Sequence, residues 1–179
     1  ETQDVVKIAP CDAVGRLVPV LKKIPVARGT GEDYEFGWLL GAYASDGFLC
    51  GEYTLGYAKN SDEHRGRFAA ALAATFGFSR QATYRQSDKA DGFVDFAKDH
   101  FGITIETRAF FSKFYADRNG DAEGRSALYK KLPPNMLAFT EETALGTLAG
   151  LLDGDGSVGR DAKGRFQIGF STSSPFLRD

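Results

Sequence analysis

Two stretches of this chain match each other closely enough to dictate its core. "GWLLGAYASDG" (Gly37–Gly47) and "GTLAGLLDGDG" (Gly146–Gly156) align without a gap, 109 positions apart (37 to 146, 46 to 155). Small residues recur at Gly37, Gly41 and Ser45 in the first, and at Gly146, Gly150 and Gly154 in the second. A spacing of four puts each trio on one face of a helix. Glycine inside a helix costs about 0.5–1 kcal/mol relative to alanine, so three at regular spacing, twice over, need a compensating contact. A stripe of small residues provides one by letting two helix backbones approach closely. The chain is therefore expected to lay these helices side by side about an approximate twofold axis.

That arrangement would bring Asp46 and Asp155 together at the C-terminal ends of both helices. Two carboxylates beside two carbonyl-rich helix ends repel each other. A divalent cation resolves the conflict, and Mg2+, with Mn2+ as a substitute, favours such hard oxygen ligands. Asp46 and Asp155 are thus the candidate metal ligands. A single Asp-Gly after a helix is commonly just a terminal turn; the duplication is what favours function here. Asp153 is matched by Ala44, so the symmetry gives it no metal role.

Composition narrows the class. With 42% hydrophobic and 13% aromatic residues, the 179-residue chain has ample material for a core. Its net charge of −2, from 22 basic and 24 acidic residues, gives no global sign of a nucleic-acid partner, so any such reading rests on local patches. Cys11 and Cys50 form no metal or disulfide pattern and read as free thiols of a reducing compartment, cytoplasm or nucleoid. His64 and His100 stand alone, which argues against zinc. No apolar run reaches membrane-spanning length and no signal peptide is expected, so no membrane partner is either. The leading Glu hints at a fragment.

Local patterns supply the remaining elements. Residues 1–34 read as an extended lead-in broken by Pro and Gly. Phe36, Leu39, Leu40 and Tyr43 mark a helix from Glu35. A hairpin turning near Cys50–Glu52 follows, then a helix over residues 62–76 closed by Gly77. Strands are expected around Ala82–Arg85, Phe93–Ala97 and Ile103–Thr107, with "AFFSKFYAD" helical. Thr140 should cap a helix running to Gly154, with Glu141 and Glu142 at its positive end. A second hairpin should turn at Asp161–Gly164. The order helix, hairpin, helix thus occurs after Asp46 and begins again after Asp155.

These segments resemble the LAGLIDADG, or dodecapeptide, homing endonucleases: "LAGLLDGDG" differs from the family's namesake at two positions, and "LLGAYASDG" is a looser copy. "KKLPPNML" is similar to the "K-x-I-P" segment that precedes the second motif in intein endonucleases. Lys131 takes the lysine's place there, with Lys130 the less favoured substitute. The resemblance covers about Glu35 to Asp179. It implies an α+β fold of tandem αββαββα repeats with saddle-shaped antiparallel sheets. The first repeat would span residues 35–139, and the second, truncated, residues 140–179. The aromatic strand ends would correspond as Tyr57 and Phe170. The chain lacks a nucleophilic first residue and a terminal His-Asn, so protein splicing is not expected.

The resemblance further implies a Mg2+-dependent, site-specific double-strand DNA endonuclease. In it Asp46 and Asp155 would hold the metal ions that activate water, and Lys131 would stabilise charge. A β-ribbon fits the major groove, so strand residues would read a long duplex site. Candidates are Glu52, Thr54, Lys59, Arg80, Thr83 and Arg85 in the first repeat, and Arg160, Lys163, Arg165 and Gln167 in the second. The alternatives are a non-cleaving DNA-binding protein of the same fold and an endonuclease fragment of a split intein that needs a companion chain.

Overall fold

The computed structural model describes residues 31–87, 95–116, 127–133, 139–161 and 163–178. They form a mixed α+β arrangement with antiparallel sheets. Helix α1 (Gly31–Asp46) leads into a hairpin of β1 (Gly47–Cys50) and β2 (Thr54–Ala58). Then come α2 (Asp62–Phe76), β3 (Ser79–Ser87), β4 (Asp95–Gly102) and α3 (Ile105–Ser112). Helix α4 (Glu141–Asp155) leads into a second hairpin, β5 (Gly156–Arg160) and β6 (Phe166–Phe170), followed by the short α5 (Pro175–Arg178). The first four strands make one sheet in the order β1-β2-β4-β3, and β5 and β6 make a separate two-stranded one.

Local chemistry explains most boundaries. Ser61 caps α2 by accepting the His64 N–H, and Gly77 ends it at a positive φ of 67°. Thr140 caps α4 by accepting from Thr143 N, with Glu141 and Glu142 in the first turn, as the sequence predicts. Two readings need correction. Helix α1 starts at Gly31, so residues 31–34 belong to the helix and not to the lead-in. No strand forms over Ile103–Thr107; Thr104 instead caps α3 by accepting from Thr107 N, a local bond that outcompetes the β-branched pattern. The lead-in over residues 1–30 lies outside the described residues. Among those described, no helix is long and apolar enough to cross a membrane.

The two small-residue helices lie against each other. A Cβ on Gly37 would fall on the Thr143 carbonyl, and one on Gly146 would fall on the Tyr34 carbonyl. Gly41 meets Thr147 in the same way that Gly150 meets Trp38. Each contact recurs with the roles of the two helices exchanged, which is what an approximate twofold axis between parallel helices requires. The glycines are therefore the contact surface, and their helix cost is offset by close packing.

Helix α1 is buried nearly all round: Trp38, Leu39, Leu40, Ala42 and Tyr43 are each fully covered. This is why its apolar residues show no narrow stripe, since a helix enclosed on every side needs none. Leu39, Leu40 and Tyr43 belong to one core with Leu55 and Tyr57 from β2, Phe68 and Leu72 from α2, Phe101 from β4, and Phe111 and Phe114. Tyr57 stacks flat on Phe68, with ring centroids 4.1 Å apart and planes 4° from parallel.

Candidate functional site

The ends of α1 and α4 bring Asp46 and Asp155 to one place, as the duplication implies. A Cβ on Gly154 would strike the Ser45 hydroxyl, and the Asp46 carboxylate lies just beyond it. The acids do not stand alone. Lys59, which follows β2, donates from Nζ to Asp46 Oδ2 at 3.0 Å and to the Gly154 carbonyl at 2.7 Å. One ammonium thus bridges the two helix ends and answers both the carboxylate and an orphan carbonyl. Burial pushes the Asp155 carboxyl above the usual range; Asp46 adds to the rise, and Lys59 and Lys130 oppose it.

Lys130, and not Lys131, reaches this junction. Its buried Nζ donates to the carbonyl of Tyr43 at 2.6 Å and to that of Gly47, with Ser45 O at 3.4 Å. Burial pulls its pKa down from 10.5 to about 7, against the attraction of Asp46 and Asp155. The Lys131 backbone N–H donates to Phe114 O, and its half-buried side chain takes no described bond at the junction. A one-residue shift along an extended segment reverses which side chain points inward, and the Lys-Lys pair concealed that choice. An open pocket lined by Ser45, Lys130, Asp155, Ser171 and Thr172 adjoins the pair.

Asp153 points away from the acids. It accepts from Trp38 Nε1 at 2.7 Å, and the Arg67 guanidinium stands 3.7 Å from it. Arg67 also lies over the Trp38 ring, 4.1 Å from its centroid, and pairs with Glu35 at 2.7 Å. Asp153, Trp38 and Arg67 therefore tie α4, α1 and α2 together.

Among the described residues, no group of three or more His, Cys, Asp or Glu side chains gathers to hold a metal ion. Lys59 already neutralises Asp46 at salt-bridge distance. The Lys59 ammonium thus answers part of the negative charge that the two helix ends bring together.

The strand candidates divide by face. Leu49, Leu55, Tyr57, Ala97, Asp99 and Phe101 are buried on the side of the sheet that belongs to the core. In register, Arg80 stands opposite Phe101, Thr83 opposite Asp99 and Arg85 opposite Ala97, so these positions lie on that side too. A bulge between Arg80 and Ala82 changes the parity of the strand, and alternation read along the sequence misses it. Arg80 donates to Asp99 Oδ2 at 2.7 Å and to Thr83, an ion pair beneath the sheet edge. The Arg85 side chain lies outside the described residues.

The opposite, open side carries other residues. Across the strands run Phe48, Gly56, His100 and Ala82 in one row, and Ala58, Lys98 and Tyr84 in the next. A Cβ on Gly56 would meet the Phe48 ring, so that ring lies over the glycine. Phe48 and His100 stand edge to face with centroids 5.6 Å apart, and His100 and Tyr84 are 4.8 Å apart. Thr54 is on this side, with Glu52 exposed in the β1–β2 turn. No acidic residue occupies a described strand position of the open face. One signal for this row was present: Leu49, Leu55 and Tyr57 define the buried parity, which leaves Phe48 as an aromatic of opposite parity.

In the second hairpin, Arg160 stacks its guanidinium on Phe166 at 4.4 Å, and Arg165 pairs with Asp161 at 2.6 Å. Lys163 and Gln167 are exposed. The register pairs Gly47 with Tyr57 and Gly156 with Phe170, the correspondence expected of the strand ends.

No family model matches the sequence, and no curated protein does. Among solved structures the chain is similar to full-length DUF199/WhiA from Thermatoga maritima, with 16% identity and a TM-score of 0.36. The match covers 83% of this chain and 54% of that one, so the chain spans about half that protein's length. That structure is described as DUF199/WhiA and not as an endonuclease, and on this finding the expectation of a Mg2+-dependent, site-specific double-strand endonuclease is corrected.

Proposed function

We propose that the chain is a non-cleaving DNA-binding protein built on the LAGLIDADG fold. The observation that carries this reading is the open face of the four-stranded sheet. It is free of acids at its described strand positions, although the chain as a whole is net negative. Such segregation of charge makes a local surface that does not repel phosphates, and Lys98 on it supplies a cation. The junction of Asp46, Asp155, Lys59 and Lys130 is on this reading a structural hub. Its lysines join the two helix ends and hold the hairpin that departs from α1.

Binding of fluorescein-labelled DNA, followed by anisotropy at low and moderate salt, tests the proposal. Retention that weakens as salt rises, with a supercoiled plasmid left intact in Mg2+, is the expected result. Absence of binding at low salt would overturn it, and so would plasmid cutting that Asp46→Asn abolishes.

A second reading concerns assembly, and the bare apolar side of the β5–β6 hairpin favours it. Val158, Phe166 and Ile168 are each about seven-tenths exposed. A further polypeptide segment, from a companion fragment, would cover that side. Its test is self-association or partner capture that Ile168→Lys removes.

A further inference from the structure

Two sheet surfaces of this molecule stand uncovered among the described residues, and they differ in kind. The Val158–Ile168 side is aliphatic. The open face of the first sheet is aromatic and interleaved with polar groups: Phe48, His100 and Tyr84 run diagonally across its strands, with Thr54 and Lys98 beside them. An interface for another protein's core would favour the first composition. A row of rings set edge to face or tilted (76° and 50° between planes), with hydroxyls and a cation and without acids at the described strand positions, suits a ligand that carries both π faces and negative charge.

We propose that this open face is a stacking platform for unpaired nucleic-acid bases. The proposal rests on the DNA-binding reading above and narrows it to single strands. Aromatic side chains on a sheet bind single strands because every base offers a π face, and stacking then tolerates any sequence. Tyr84 is 56% exposed, and among the described residues its ring contact is with His100. Phe48 lies over Gly56, where any Cβ would displace it, so the glycine leaves room for the ring to rest on the sheet. His100 sits between them and fixes the spacing of the row. Lys98 is the register partner of Tyr84, which places a phosphate contact beside the ring that takes the first base.

Bases inside a duplex are already stacked on one another and present only their edges to a protein. The platform therefore distinguishes strands by whether their faces are free. The corresponding side of the β5–β6 hairpin has Ser157 and Gly169 where the first sheet has Phe48 and Gly56. The platform thus belongs to the first sheet alone.

The test compares a fluorescein-labelled 12-nucleotide thymidine single strand with a duplex of equal length, using the 179-residue chain. The single strand should bind more tightly. Tyr84→Leu should weaken that binding about tenfold and leave thermal unfolding unchanged, while Tyr84→Phe retains it. Lys98→Gln should lower the slope of log affinity against log salt by about 0.7. If the duplex binds at least as well and Tyr84→Leu changes nothing, the platform is overturned while DNA binding stands. Single-strand binding indifferent to both Tyr84→Leu and Phe48→Leu overturns it too. No binding of either nucleic acid overturns both readings.

Discussion

The two hairpins that leave the paired helices are alike in register and opposite in fate. Leu49 and Leu55 on the first are 8% and 0% exposed, while Val158 and Ile168 at the matching positions of the second are 72% and 70% exposed. The backbone pairing is the same, so strand pairing alone does not bury a strand. Helix α2 supplies Phe68 and Leu72 to the first hairpin's side, and β4 adds Phe101. The second hairpin has no such cover among the described residues. A β-hairpin owes its apolar face to whatever is packed on it, and two strands by themselves are marginal in water.

The largest effect should come from the helix pair on which both hairpins depend. Gly150→Leu forces a side chain into the Trp38 carbonyl and the Ala42 backbone, and should cost more than about 4 kcal/mol, enough to lose cooperative thermal unfolding. Next comes the direct comparison by urea titration. Leu55→Ala should lose about 3 kcal/mol, and Ile168→Ala less than about 0.5 kcal/mol. Equal losses would mean that the second hairpin is covered after all.

The junction between the hairpins has its own signature in pH. Burial lowers the Lys130 pKa to about 7, and its ordinary value is 10.5. Between those values the unfolded chain holds a proton that the folded one has released, so stability rises with pH from about 7 to about 10. Below pH 7 the folded state bears the full cost of protonation, on the order of a few kcal/mol. Lys130→Met should remove that slope in urea midpoints measured across the range; an unchanged slope would assign it to other groups. The smallest effect is at Tyr57, whose buried hydroxyl has no hydrogen-bond partner among the described residues. Tyr57→Phe keeps the stack on Phe68 and sheds an unpaired polar atom, so stability should hold or rise by up to about 1 kcal/mol.

How far these features were legible differs by length scale. The helix pair, the cap at Thr140 and both hairpins could be read from glycine spacing, a side-chain oxygen and alternation, because each is a local rule. The meeting of Asp46 and Asp155 followed from duplication, which converts a local pattern into a spatial one. What answers those acids did not follow. Lys59 is 13 positions from Asp46 and reads as one more exposed strand-end lysine until the sheet folds it back. The choice between Lys130 and Lys131 turned on the direction of one extended residue. The faces of Arg80 and Thr83 turned on a single bulged residue, which composition does not announce.

The reciprocal glycine contacts also fix when this molecule can finish folding. Helices α1 and α4 touch across more than a hundred residues of sequence, so their closure joins partners that no local structure brings near. Contacts of such separation form late, after the chain between them has lost its freedom. Trp38 is the chain's one tryptophan, and its indole N–H donates to Asp153 across that seam. Its fluorescence should therefore report the last event of refolding, lagging behind the circular dichroism of α2 and the first sheet. Simultaneous recovery of both signals would instead make the seam part of the folding nucleus.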